Sequence, residues 1–187
     1  MRKFFVGITT ACVLLASVLA VSAAAPANFA GTWALDKSKS DGLPPQAANI
    51  AGLTLVVTQD AQQITIDSKT AMASQDAAAA GGPGQGGGRG RGMGMFPSAS
   101  YKLDGTETTA DNPGGRGGTS TFKAQWKDGG KTLELKRVSK FNFQGNDVTA
   151  TTTEDWTLSS DGKTLTVKRT SESPRGTQSS TLVFNKQ

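Results

Sequence analysis

Arg137 and Arg169 are the residues of this chain whose spacing most suggests chemistry. Each follows two apolar residues in strict alternation, Leu133-x-Leu135-x-Arg137 and Leu165-x-Val167-x-Arg169. Every second side chain of an extended strand shares one face. Both guanidinium groups therefore fall on the apolar side, at the far end of their strands. Two readings follow. The pair lines a barrel mouth and grips an anionic head group, or each is a rim arginine whose head snorkels to water. Tyr101, the single tyrosine, is likewise a core ring with a wetted hydroxyl or a hydrogen-bond donor to a ligand.

Other chemistries are excluded by composition. The chain has no histidine and one cysteine. That cysteine, Cys12, lies within an apolar N-terminal stretch, well before its end, and is read as removed with it. The remainder can build no disulfide framework, no zinc site on Cys or His, no Ser-His-Asp or Cys-His nucleophile and no His-ligated haem. Glu154 and Asp155 are adjacent on a predicted strand, so their carboxylates point to opposite faces and cannot work as a pair. Asp36, Asp104, Asp128 and Asp161 fall at strand ends or turns, where aspartate accepts local backbone hydrogen bonds. EF-hand spacing is absent. The glycine-rich stretch from Gly81 to Gly94 lacks the Gly-Lys-Ser/Thr of a nucleotide loop. No catalytic residue, metal or cofactor is expected, and the chain is not expected to be an enzyme.

The N-terminus has the form of an export signal. Arg2 and Lys3 precede an apolar run from Phe4 to Val21, and Val21-Ser22-Ala23 offers a small-residue cleavage site. A membrane anchor is the competing reading, with a run near the lower limit for spanning a bilayer. Cleavage after Ala23 leaves 24–187 as a single domain, exported to the periplasm or beyond, with no stable membrane span. The net charge of +5 falls to +3 with the loss of Arg2 and Lys3. Its charges are interspersed, the pattern of a solvated surface and not of a nucleic-acid footprint.

The elements that must position these residues are strands. Period-2 runs dominate after residue 30. They predict ten strands, at Thr32–Asp36, Leu53–Gln59, Gln63–Ser68, Ser98–Leu103, Thr106–Ala110, Thr119–Lys127, Lys131–Lys140, Val148–Leu158, Lys163–Thr170 and Gln178–Lys186. Tight turns such as Asp104-Gly105 and Asp128-Gly129-Gly130 join most of them, which argues an antiparallel barrel or sandwich. Two segments break the rhythm. Lys37 to Gly52 carries Pro44-Pro45 and has room for one helical turn. Residues 70–97 hold nine glycines between Gly81 and Gly94 and predict a mobile loop, because such a stretch buries nothing against its ordering entropy. A smaller glycine loop, Asn112 to Gly118, carries Arg116.

A repeat sets the side-chain directions. Trp126 and Trp156 each precede a glycine turn and a leucine-bearing strand. The even loops predict Trp126 opposite Leu133, and Trp156 opposite Leu165. One face then carries Phe122, Ala124, Trp126, Leu133, Leu135, Trp156, Leu158, Leu165 and Val167. The other carries Lys127, Thr132, Glu134, Lys136, Thr157, Thr164, Thr166 and Lys168, as in an antiparallel sheet with one wet face.

With that meander in view, Asn28-Phe29-Ala30-Gly31-Thr32-Trp33 resembles the opening of the calycin superfamily, the lipocalins and fatty-acid-binding proteins, whose first strand carries Gly-x-Trp. The run from Trp126 to Leu133 is similar to their late hairpins. The mature chain as a whole is most similar to bacterial exported lipocalin-like domain proteins, whose roles are mostly unassigned. The resemblance implies an antiparallel up-and-down β-barrel of about ten strands, with Gly31 and Trp33 in a plug at one end. It also implies a basic residue of the last strand laid across that Trp, which falls on Lys186, a lysine where an arginine is usual. The family's fatty-acid-binding members hold a carboxylate with Arg-x-Tyr in the last strand and carry a two-helix lid. The last strand here has neither Arg nor Tyr, and only Lys37 to Gly52 could replace the lid in reduced form.

The function expected is the binding of a small, mainly apolar ligand inside the barrel or at its mouth, by Trp126, Trp156, Tyr101, Arg137 and Arg169. The alternative is an envelope scaffold with a packed barrel, whose glycine-rich loop or sheet edge meets a protein partner of unknown identity.

Overall fold

The computed structural model describes residues 25–43, 47, 50–72, 96–112 and 117–187. The expected signal segment, the bulk of the glycine-rich stretch and Arg116 lie outside the described residues. Ten strands form one antiparallel sheet: β1 (Gly31–Leu35), β2 (Ile50–Gln59), β3 (Gln63–Met72), β4 (Ala99–Lys102), β5 (Thr108–Asp111), β6 (Thr119–Lys127), β7 (Thr132–Phe143), β8 (Asn146–Leu158), β9 (Thr164–Ser173) and β10 (Gly176–Lys186). Their order is β4-β3-β2-β1-β10-β9-β8-β7-β6-β5. Each strand pairs with its neighbour in sequence, and β1 closes onto β10, as an up-and-down barrel requires.

The ring is nearly closed, not closed. Among the described residues, no ladder joins β4 to β5. An aromatic pair spans this seam from inside, the ring of Tyr101 on β4 standing edge-on to Phe122 on β6 at 5.5 Å.

The first repeated hairpin has the expected register, Trp126 opposite Leu133. The second is corrected by two residues: Trp156 faces Val167, and Leu158 faces Leu165. The turn itself explains the shift. Asp161 accepts hydrogen bonds from the Lys163 amide at 3.0 Å and the Ser159 hydroxyl at 2.5 Å, and the Thr164 amide donates to the Ser159 hydroxyl at 2.9 Å. These bonds centre the turn on Asp161-Gly162, one position later than alternation alone suggests. A slip of two keeps every side chain on its face, so the apolar wall survives.

Strands β7 and β8 run further than expected and meet at Gln144-Gly145. The Gly145 amide donates to the Asn142 side chain at 2.9 Å. That side-chain acceptor makes a tight turn where the sequence offers no Asp-Gly. Strand β3 also extends through Thr70–Met72, taking up the first residues of the expected loop.

One end of the barrel is filled. Phe29, Trp33, Trp156, Phe184 and the leucines at 53, 55, 133, 135, 165 and 182 are all buried there or beside it. Phe29 is the keystone, stacked on Trp126 at 6.1 Å and edge-on to Trp156 at 5.9 Å. Its carbonyl accepts the Trp33 indole N–H at 2.9 Å. The Gln59 side chain clips this segment in place, accepting from the Phe29 amide and donating to the Ala27 carbonyl. Each such ring contributes about 1.5–3 kcal/mol by leaving water.

Gly118 guards the start of β6. Its φ is +89°, and a Cβ there would lie 2.0 Å from the Lys140 carbonyl oxygen. Both objections are to backbone, which cannot swing aside. Gly118→Ala should therefore destabilise by more than about 1 kcal/mol. Urea denaturation checks this, and an unchanged midpoint would refute it.

Candidate functional site

Midway up the barrel, beyond the aromatic end, the interior turns polar. Strands β7, β8, β9 and β4 bring Arg137, Glu154, Arg169 and Tyr101 to the inner face. Register places Arg137 opposite Thr152 and Glu154 opposite Arg169. The Glu154 carboxylate is buried. One oxygen accepts the Trp156 indole N–H at 3.0 Å, and the other lies 3.4 Å from Arg169 Nε. The Arg169 guanidinium also sits over the ring of Phe96, 4.9 Å from its centroid.

Arg169 is thus no rim arginine reaching for water. Its side chain keeps only 12% of its exposure, and it spends its charge on a buried carboxylate and an aromatic face. Arg137 is half-buried.

The charges here are mutually dependent. Burial pushes the Glu154 carboxyl above its ordinary value, against the pull of Arg169 and the Trp156 N–H. Burial likewise lowers Arg169, while Glu154 holds it up. Tyr101 is raised well above a free phenol, first by burial and then by the negative charge of Glu154. Its hydroxyl therefore keeps its proton and can act as a donor. Two guanidinium groups against one carboxylate leave this pocket with an excess of positive charge when Glu154 is ionised.

A void of about 10 Å³ lies among Phe96, Tyr101, Leu135, Arg137 and Glu154, room for about one water. On the outer surface a groove of about 400 Å³ follows the β4–β5 seam, lined mainly by polar side chains such as Thr65, Ser100, Lys102 and Thr108. Ala99 lines both and forms part of the wall between them.

The other residues singled out by sequence fall into two groups. Trp126 and Trp156 belong to the aromatic end, where Trp156 is fully buried and Trp126 partly so. Trp156 reaches the polar centre only through its indole N–H. Gly31, Trp33 and Lys186 meet at this same aromatic end, where the Trp33 indole N–H donates to the carbonyl of Phe29. Trp33 pairs with Lys186 across β1 and β10, and the Lys186 ammonium lies 5.2 Å from the indole centroid. A Cβ on Gly31, whose φ is +143°, would stand 3.0 Å from the Lys186 side chain. Glycine lets the lysine cross the ring.

Sequence reasoning missed Phe96 and Phe29. Phe96 borders a glycine-rich run and belongs to no strand, yet it is buried inside the barrel. Three of the four Asp residues at turns accept local backbone hydrogen bonds as expected, Asp36 from the Ser38 amide, Asp104 from the Thr106 amide and Asp161 from the Lys163 amide, whereas Asp128 accepts from the Thr132 hydroxyl. Asp155, on the outer face, pairs with Lys127 at 3.0 Å, and Lys127 also pairs with Glu134. Such exposed pairs are worth about 0–1 kcal/mol. Among the described residues no group of three or more acidic side chains could hold a metal ion, and no helix is long and apolar enough to cross a membrane.

No family model matches the chain, and no curated protein matches it. Among solved structures it is similar to zebrafish ileal bile acid-binding protein in complex with cholic acid. The identity is 13% and the TM-score 0.47, over 85% of this chain and 98% of that one.

Proposed function

We propose that this protein is an exported, calycin-like barrel that binds a small, mainly apolar ligand carrying an anionic group. One observation carries the reading. Arg137 and Tyr101 line a buried interior void with Glu154, which is paired to Arg169, and among the described residues Glu154 is the one carboxylate of that lining. A barrel that served only as a scaffold would be as stable, or more so, with apolar residues in place of a buried ion pair. The arrangement suits a carboxylate or similar group, which the guanidinium groups can grip through charge-assisted hydrogen bonds. In this reading Trp126 and Trp156 wall the apolar floor. Gly31, Trp33 and Lys186 close the end and touch no ligand. The N-terminal signal directs the chain out of the cytoplasm.

The small void favours a second reading, the packed envelope scaffold that meets a protein partner. The two part on a simple measurement. Native mass spectrometry of protein from its natural host should show a co-purifying small molecule. Decanoate should bind at one per chain, and Arg137→Gln should weaken it roughly tenfold, the loss of one charge-assisted hydrogen bond. A chain that arrives empty, and takes up no decanoate while folded, would establish the scaffold.

A further inference from the structure

Phe96 sits where a ligand would. Its ring is almost wholly buried. It stands edge-on to Phe184 on β10, with ring centroids 5.9 Å apart and planes at 75°, and its face lies under the Arg169 guanidinium. With Pro97 it forms one side of the small void, and Arg137, Glu154, Tyr101 and Thr152 form another. The ring therefore fills a benzene-sized space that already offers the two contacts an aromatic guest seeks, an edge-to-face ring and a cation over its π-face.

Phe96 is also held from the side that gives way most easily. It precedes β4, a strand of four residues that pairs only with β3. Among the described residues, its hold apart from its ring contacts is a hydrogen bond from the Ser68 hydroxyl to its carbonyl. Withdrawing the ring disturbs one short edge strand and leaves the β6–β10 ladders untouched. Edge elements with few hydrogen bonds are those that open locally at least cost.

We propose that this pocket takes a planar aromatic anion of the arylcarboxylate class, which displaces the Phe96 ring from between Arg169 and Phe184 and sets its anionic group beside Arg137. The inference rests on the binding reading above and narrows its ligand. The protonated Tyr101 hydroxyl gives the carboxylate a further donor. An alkyl carboxylate would match the charge and forfeit both π contacts. Vacating the ring frees a space of benzene shape that joins the small void beside Arg137 and Tyr101.

Calorimetric titration with benzoate and with cyclohexanecarboxylate tests this, since the two share charge and size and differ in the π-face. Phe96→Ala should bind benzoate at least tenfold more tightly than the wild type, because the internal competitor is gone. It should prefer benzoate over cyclohexanecarboxylate by fivefold or more. Equal affinity for the two acids overturns the aromatic assignment, and so does a folded Phe96→Ala that binds benzoate no better than the wild type. If that variant fails to fold, the wild type decides by hydrogen exchange. Millimolar benzoate should speed exchange of the Ala99–Lys102 amides and leave β7 to β9 unchanged. Unaltered β4 exchange overturns displacement. Decanoate uptake without any benzoate preference removes this inference alone, whereas a chain that binds neither removes the binding reading with it.

Discussion

Trp156→Ala should cost about 3–5 kcal/mol of stability, on the order of 10 °C in melting temperature for a domain of this size. Two losses coincide at this position. The indole is fully buried and supplies the ring that Phe29 meets edge-on, so truncation leaves a cavity in the filled end of the barrel. It also donates to Glu154, so truncation strips a buried carboxylate of a hydrogen bond. Trp156→Phe separates the two. It keeps most of the apolar volume and loses the donor, and should cost about 1–3 kcal/mol. Thermal and urea unfolding of both variants provides the check. Equal destabilisation by Ala and Phe would show that the hydrogen bond, and not the packing, dominates.

Arg169→Met should be comparably severe at neutral pH, about 3–5 kcal/mol, because it leaves Glu154 buried without its main countercharge. The penalty should also depend on pH, and its direction follows from Glu154. Burial already raises that carboxyl, and Arg169 is the leading influence that opposes the rise. Without the arginine the folded-state value climbs further. A carboxyl raised in the folded state contributes fully below its unfolded value and loses that contribution as pH rises through its folded value. The variant should therefore approach the wild type near pH 4, close to the ordinary glutamate value, and fall away from it toward pH 7. Asp36, Asp104 and Asp161 do not confuse this window. Hydrogen bonds, led by Ser38, the Thr106 amide and Ser159 respectively, hold them below ordinary aspartate values. Their contributions are lost only at lower pH. Adding Glu154→Gln to the variant should flatten the dependence. Denaturation midpoints at pH 4 and pH 7 that show one constant penalty would refute the linkage.

All ten strands were legible because this sheet has one wet face, which stamps a two-residue alternation on every strand. Parity placed Trp126, Trp156, Leu133 and Arg137 on the inner wall, and placed Glu154 and Arg169 there with them. What parity cannot supply is longitudinal position. With Trp156 set opposite Leu165, Glu154 falls beside Val167 and Arg169 lies two residues away. The hydrogen bonds of Ser159 and Asp161 move the strand by two, and only then do the carboxylate and guanidinium face each other. The ion pair at the centre of the candidate site was hidden by a side-chain detail of the turn that follows the strand. Phe96 was hidden for a different reason. A single aromatic ring after a glycine-rich run has no period, and its burial comes from the barrel it enters and not from its neighbours in sequence. Phe29 is similar, since its partners Trp126 and Trp156 are about a hundred residues or more away in the chain.

The ladder between β1 and β10 has a consequence for how the chain reaches this state. It consists of three pairs, Trp33 with Lys186, Ala34 with Asn185 and Leu35 with Phe184. An amide of Asp36 bonded to Val183 and the bridge of Asp41 to Thr181 lengthen it. Every other ladder in the sheet joins strands consecutive along the chain, most of them across short turns. This one must bring together Trp33 and Lys186, 153 positions apart (186 − 33), at the greatest loop-closure entropy of any ladder in the sheet. Two arcs, β1 to β4 and β5 to β10, can thus assemble early and independently, and curl into one barrel only when this stitch is tied. The slowest folding event is then the pairing of Trp33 with Lys186, and the last residues of the chain act as a latch on a fold otherwise made of neighbours.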